Sequence, residues 1–461
     1  MASRDSARAT ETGSGLLLSR QRISTGDSLR IDRPQHAPPV WPAILTSFLH
    51  SVSLGAAMLT WLEVCRAVTN PSEESSMAQT YYGRLLAMNG ICELVTSQLV
   101  GVVSDKFGRR PAQVSAQLGQ VVDYLTAGLC LPSLGFLGQV HPTSAKVILF
   151  ASRGVAGLCG NYKVSLQSYT ADISGAEECP QRMAYLGAAM VVGMGMGSFV
   201  VAAVSSVQLS FRASFYVATT LNAAIIILVI VKWRDVAPRR NFAWAEANPI
   251  AGLHILLTNE AMVVYATLIF LSCFALNMFT STLDFYCSNF LKMSKPSFIA
   301  LGTLWALESA LCLGFLQPFL TRKFSEIATL QVAFASMGLF YLLFSFLTPS
   351  TSGLAFVVII LFSVGSIAYP MAVGLATREL SPEEQGSLQG AVSILETLSK
   401  IFAPLVASDV IIPRFDQPGQ YFGMVYLAAA LLVTPGLLFC QRLYKLTGRL
   451  ETDREVLVEM H

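Results

Sequence analysis

Apolar residues along this chain gather into twelve long runs separated by short polar stretches. The runs cover approximately 40–64, 81–103, 110–132, 146–171, 184–205, 213–233, 261–284, 297–319, 326–347, 352–374, 388–411 and 420–442. Each is long enough to cross a hydrocarbon layer of about 30 Å at roughly 1.5 Å per helical residue. Backbone groups in lipid must bond within their own segment, and strand-length apolar units are absent, so the runs predict helices. Segments 4 and 11 carry internal charges and are the weakest of the twelve. The pattern therefore predicts an all-α polytopic membrane protein of twelve transmembrane helices.

The polar stretches fix an orientation. If both termini lie on one side, that side receives 21 of the 31 Lys and Arg residues, whereas the opposite side receives seven, and Arg153, Lys163 and Lys400 fall inside segments. Basic residues concentrate on the cytoplasmic face, which predicts cytoplasmic N- and C-termini. Residues 1–38 read as a disordered, Ser- and Arg-rich tail with no cleavable secretory signal. The longest internal connection, 234–260, divides the chain into bundles at 39–233 and 261–442, and 443–461 form a second tail. The turn after segment 8 (Gly314 to Glu326, with Arg322 and Lys323) sits where the turn after segment 2 sits in the first half. A weak repeat of this kind predicts two pseudo-symmetric six-helix bundles around a central cavity.

Composition agrees with a membrane location and excludes other classes. The chain has 461 residues, 53% hydrophobic and 13% charged, against about 25% charged in a soluble domain. A net charge of +2 gives no reason to expect nucleic acid. Nine scattered cysteines without a C-x-x-C pair read as small core residues rather than a disulfide or metal framework. No metal site, cofactor motif or enzymatic constellation is present: G-x-S-x-G and the P-loop are missing, and the five histidines are dispersed. The 27 Phe and 14 Tyr read mainly as lipid-facing packing.

The stretch Gly101-Val-Val-Ser-Asp105-Lys106-Phe-Gly108-Arg109-Arg110-Pro111 places four charges in one tight turn. Its glycines permit a sharp turn and close helix approach. Its spacing resembles the loop between helices 2 and 3 of the major facilitator superfamily. Further islands resemble the tetracycline/proton antiporters and the hippocampus-abundant-transcript type: Gly119 to Tyr124, Phe215 to Asn222, Asn248-Pro249, and Glu384 to Gly390. The resemblance implies a cytoplasmic gate. In it Asp105 engages the start of helix 11 near Gly386 and Gly390, and Arg109, flanked by Arg110, holds Asp105 together with Asp172. The alternative is that these basic residues only set topology.

The resemblance also has gaps. Segment 5 lacks the Gly-Pro pair of the antiporters, and segment 9 lacks the acid that the tetracycline exporters carry, having Ala335 to Gly338 instead. Tetracycline itself is thus not expected as the substrate. Ionisable residues within spans cost about 2.5–3.5 kcal/mol on insertion scales and mark pathways or partners. Asp123 and Arg153 match positions linked to proton coupling in the family, followed by Glu93, Glu308 and Glu396; the competing reading of each is a structural ion pair. Glu396 and Lys400 are spaced to satisfy each other along one helix face. By resemblance, a midplane cavity between helices 1, 4, 7 and 10 would be lined by His50, Asn161, Lys163, Asn277 and Tyr369, with Lys400 nearby. The reading is a monomeric secondary transporter of a small organic solute, working by alternating access and coupled to protons as an antiporter, in a membrane the sequence does not name. The alternatives are an uncoupled uniporter and a non-transporting binding or sensor protein on a transporter fold.

Overall fold

The computed structural model describes residues 38–69, 75–130, 141–174, 178–206, 212–234, 253–380, 385–415 and 423–459. Among them there is no strand, and helices assemble into twelve rods. The first half contains α1 (Trp41–Met58 continued by Trp61–Val68), α2 (Ser75–Phe107), α3 (Arg109–Cys130), α4 (Pro142–Leu158 continued by Tyr162–Asp172), α5 (Cys179–Ser206) and α6 (Arg212–Lys232). The second contains α7 (Glu260–Phe285), α8 (Lys295–Leu311 and Gln317–Lys323), α9 (Glu326–Ser345), α10 (Ala355–Gly365 and Ala368–Arg378), α11 (Gln385–Leu405, extended to Phe415) and α12 (Met424–Glu459). Residues 1–37, 235–252, 460 and 461 lie outside the described residues, and with them most of the expected N-terminal tail and central connection.

Nine of the described stretches are long and apolar enough to cross a membrane by length and composition. The exceptions are α2, α3 and α4. The first is 33 residues long and the second 22, about 50 and 33 Å, so length is not what sets them apart. They carry Glu93, Asp123, Arg153 and Lys163, the first half's share of the charges from which the candidate site is built. Segment 11, expected to be weak, is among the nine.

Local chemistry explains the breaks. Only Gly108 separates α2 from α3; it has φ 101°, a conformation that favours glycine, and its N–H bonds the Ser104 carbonyl at 2.9 Å. Gly160 (φ 96°) interrupts α4 in the same way, after which the Asn161 side chain accepts from the Lys163 N–H at 2.8 Å and restarts the helix. Pro404 lies inside α11, just ahead of a π-type widening at Val406–Ile411. Ser294 and Ser325 cap α8 and α9 by accepting the N–H of Ser297 and Ala328.

Packing sorts the rods into two sets. In one, α1 lies against α5 and α6, and α3 against α4 and α6; in the other, α7 lies against α11 and α12, and α9 against α12 and α10. The sets meet along two seams, α2 on α11 and α5 on α8. The glycine run of α5 makes the first set tight. A Cβ at Gly197 would lie 2.6 Å from the Ala56 nitrogen and Val52 oxygen, and one at Gly193 2.5 Å from the Phe48 oxygen. These are α1 backbone atoms, which cannot swing away. Gly197→Val should therefore destabilise the protein by about 1–3 kcal/mol through overpacking. Thermal unfolding in detergent checks this, and an unchanged midpoint contradicts it.

The aromatic residues correct one expectation. In the second half they face inward more than outward: Phe279 is fully buried and packs edge-on or tilted against Phe340, Tyr341, Phe344, Phe362 and Tyr426 at centroid distances of 4.5–6.3 Å. Lipid-like surroundings give no hydrophobic drive between helices, so such interlocking aromatic contacts supply packing energy. The cysteines described are free thiols, most of them buried.

Candidate functional site

Four charged side chains meet where the two sets of rods face each other. Lys163 of α4 approaches both Glu396 oxygens of α11 at 3.0 and 3.2 Å. One turn further along α11, Lys400 approaches Glu93 of α2 at 2.6 Å. Glu396 also accepts a hydrogen bond from the Tyr369 hydroxyl of α10, and Glu93 accepts one from the Asn161 amide. Glu396 and Lys400, expected to satisfy one another along α11, instead both reach across the seam, Glu396 to α4 and Lys400 to α2. The reason is that the facing set offers each a closer opposite charge. Three of the four side chains stay partly open, Lys400 at 34%, Lys163 at 28% and Glu396 at 24%, whereas Glu93 is buried at 9%, so the cluster reaches accessible space rather than lying wholly in a sealed core.

A second ionic centre is closed. Asp123 of α3, fully buried, pairs with Arg153 of α4 at 3.0 Å and accepts from the Ser152 hydroxyl at 3.1 Å. The Arg153 guanidinium also lies 3.9 Å above the Trp61 ring, in cation–π geometry, and Asn89 of α2 donates to the Arg153 carbonyl. Sequence reasoning singled out the two charges but missed Trp61, Ser152 and Asn89, since nothing in their local spacing marks them as partners.

The remaining candidates separate from these centres. His50 is 2% exposed; its ring stacks on Tyr162 at 3.4 Å and its Nδ1 lies 3.3 Å from the Gln117 oxygen. It belongs to the packed interior of the first set and does not line open space. Asn277 donates to the Cys273 carbonyl of its own helix. Glu308 of α8 accepts from Ser363 of α10 at 3.3 Å, away from the four-charge cluster.

At the end of the rods carrying the α2–α3 turn, Arg109 donates to Asp172 at 2.7 Å and to the Ser104 hydroxyl at 2.8 Å. Arg110 donates to the Ile230 carbonyl of α6. Gly101 lies within α2 and Gly386 and Gly390 within the first turns of α11; the Asp105 side chain lies outside what the structure describes. The second set has a counterpart with the signs exchanged: Glu326, which opens α9, pairs with Arg378, which closes α10, at 2.6 Å. Aligning the two halves of the sequence, rather than searching for an acid in the turn, was the signal that could have found it. A cleft of about 250 Å³ lies beside this pair, lined by Gln317, Thr321, Met371 and Arg378 among others, and none of the four seam charges lines it.

The opposite end of the rods is tied across both seams. Arg84 of α2 bonds Asp409 in the extension of α11 at 2.8 Å, Thr80 donates to the Ser408 carbonyl and Gln79 to the Ser281 carbonyl. Arg66 at the end of α1 donates to Ser288 at 2.6 Å, and Glu63 pairs with Lys295 at the start of α8. Gly83 lets α2 approach so closely that a Cβ there would lie 2.8 Å from the Cβ of Ser408. On the other seam, a Cβ at Gly195 would lie 2.9 Å from the Cβ of Ala306. Chemically, the arrangement is a pair of helical sets zipped at one end, joined by exchangeable ion pairs near mid-length.

Comparison with known proteins follows the same lines. The family model described as Major Facilitator Superfamily matches residues 37–404. The chain is 24% identical over 367 residues to the class C tetracycline resistance protein of Escherichia coli, covering 79% of this chain and 87% of that protein. It is also 24% identical over 371 residues to multidrug resistance protein 1 of Bacillus subtilis (strain 168), covering 78% and 88% respectively. Among solved structures, the human organic anion transporter MFSD10 (TETRAN) superposes with a TM-score of 0.63 at 16% identity, over 87% of this chain and 98% of that one. The xylose transporter XylE from E. coli, in a partially occluded inward open conformation, gives 0.66 at 15% identity, over 87% and 96%.

Proposed function

The chain belongs to the Major Facilitator Superfamily, a family of multi-pass membrane transporters for small molecules, and on that premise we propose that it is a proton-coupled antiporter of a small organic solute. The observation that carries this reading is the Lys163–Glu396 ion pair, a carboxylate and an amine contributed by opposite sets of rods. Protonating Glu396 removes one of the charges joining the sets, so proton binding and separation of the sets are linked. Glu93, paired with Lys400, is placed to act in the same way. Asp123 and Arg153, the first choice on resemblance, are a less direct route, because Asp123 has no exposed surface through which a proton would arrive. Glu308 is kept as a separate protonation candidate.

Alternating access on this reading closes the far end through Arg84–Asp409 and Glu63–Lys295 and opens it when those ties break. The Gly101–Arg110 turn, Asp172 and the Gly386–Gly390 start of α11 form the opposing gate. The basic excess around the α2–α3 turn supports a cytoplasmic position for that gate, with both termini on the same side.

Purified protein in liposomes, given an imposed pH gradient and screened against a broad solute library, tests the proposal. Solute flux in one direction should accompany proton flux in the other. In Glu396→Gln the number of protons moved per solute should fall at least tenfold. If Glu396→Gln and Glu93→Gln both leave proton flux unchanged, these carboxylates are not the coupling groups. Solute flux without proton movement in the unaltered protein would indicate a uniporter, and solute binding without flux a sensor or binding protein.

A further inference from the structure

From the charge pattern at the seam, we infer that the solute is a zwitterion, a small molecule with one anionic and one cationic group and no net charge. This inference rests on the transporter reading above and gives it a substrate class. The six side chains involved are Glu93, Asn161, Lys163, Tyr369, Glu396 and Lys400. Each set of rods contributes one acid and one amine: Glu93 and Lys163 from the first, Glu396 and Lys400 from the second. Each set also contributes one neutral polar group bound to its own acid, Asn161 to Glu93 and Tyr369 to Glu396. The cluster is therefore neutral as a whole, and each face of it is neutral by itself.

That balance restricts what can enter. When the two sets part, Lys163 loses Glu396 and Lys400 loses Glu93, leaving an unpaired acid and an unpaired amine on each face. A monovalent anion replaces the partner of an amine only, and a monovalent cation replaces the partner of an acid only; either leaves the opposite sign bare in a site flanked by apolar helices. A zwitterion supplies both replacements at once and leaves the net charge of the site unchanged. The alternation of sign along the cluster also suits a ligand whose two groups are a few ångströms apart, since Glu396 and Lys400 are one helical turn apart, about 5–6 Å between their Cβ atoms. Excess charge of one sign, which would select an anion or a cation electrostatically, is missing from these four residues.

The test uses full-length protein in liposomes and three probe sets of matched size: zwitterions (glycine betaine, 4-aminobutyrate, carnitine), monovalent organic anions (butyrate, 4-hydroxybutyrate) and monovalent organic cations (choline, butylammonium). Each is measured by counterflow, and in parallel by ligand-induced thermal stabilisation of the detergent-solubilised protein. At least one zwitterion should exceed every anion and cation by tenfold or more in counterflow, or in apparent affinity by stabilisation. Glu396→Gln, which leaves the facing amine in excess, should shift the preference towards anions at least tenfold, and Lys163→Gln should shift it towards cations. Anions or cations ahead of every zwitterion would overturn this inference while leaving transport intact. Stabilisation by zwitterions without counterflow supports the site and removes the transporter reading instead. Neither flux nor stabilisation with any probe set rejects the site as a zwitterion site.

Discussion

Arg153→Met is expected to lower the stability of the folded protein by about 3–5 kcal/mol, because it leaves the Asp123 carboxylate buried without its counter-charge. Asp123 has no exposed surface, and apart from the guanidinium its carboxylate has the Ser152 hydroxyl as partner. Removing Arg153 also strips the cation from the face of Trp61, which adds about 0.5–2 kcal/mol of lost attraction. The double variant Asp123→Leu/Arg153→Met removes both charges and should recover most of the loss, since a buried pair contributes little net stability against apolar groups of similar size. Thermal unfolding of the three purified proteins decides the matter. A single variant as stable as the unaltered protein rules out the ion pair as a stabilising element, and a double variant as weak as the single assigns the effect to packing instead.

The second large effect concerns movement. Gly83→Cys combined with Ser408→Cys should form a disulfide across the α2–α11 seam and abolish transport until a reductant is added. A Cβ built on Gly83 stands 2.8 Å from the Ser408 Cβ, whereas disulfides need about 3.5–4.5 Å, so the helices have to part by about 0.7–1.7 Å for the bond to form. The lock closes the end of the rods held by Arg84–Asp409 and the Thr80 hydrogen bond. Oxidant applied to protein without the two substitutions controls for the native thiols. Full transport by protein shown to be cross-linked would mean that this end never has to open.

Much of the architecture was legible in the apolar runs, because a membrane forces every spanning segment to be a helix of a minimum length. The α2–α3 turn was legible for the same kind of reason: a positive φ between two helices asks for Gly108, and the charges beside it are spaced within one turn. Asp123 and Arg153 could be singled out one at a time because charge inside a span is costly. What sequence could not supply was partnership. Glu396 and Lys400 are neighbours along their helix, and only the three-dimensional arrangement shows that Lys163, 233 positions away, and Glu93, 307 positions away, outcompete that local pairing. Arg84 with Asp409 and Trp61 with Arg153 are hidden for the same reason. The inward-facing aromatic core around Phe279 was misread because apolar residues facing lipid and facing protein have the same composition in a membrane chain.

The sign exchange between Arg109–Asp172 and Arg378–Glu326 gives the two halves unequal latches. An α-helix carries partial positive charge at its N-terminus and partial negative charge at its C-terminus, worth typically about 0.3–1 kcal/mol to a suitable side chain. Glu326 opens α9 and Arg378 closes α10, so in the second half both charges agree with the dipoles of their own helices. Arg109 opens α3 and Asp172 closes α4, so in the first half both oppose them. The first pair thus draws no support from the dipoles of α3 and α4 and gains by moving to another helix end, whereas the second is anchored where it stands. In a machine that must release one contact to make another, the disposable latch is the one built against its helices.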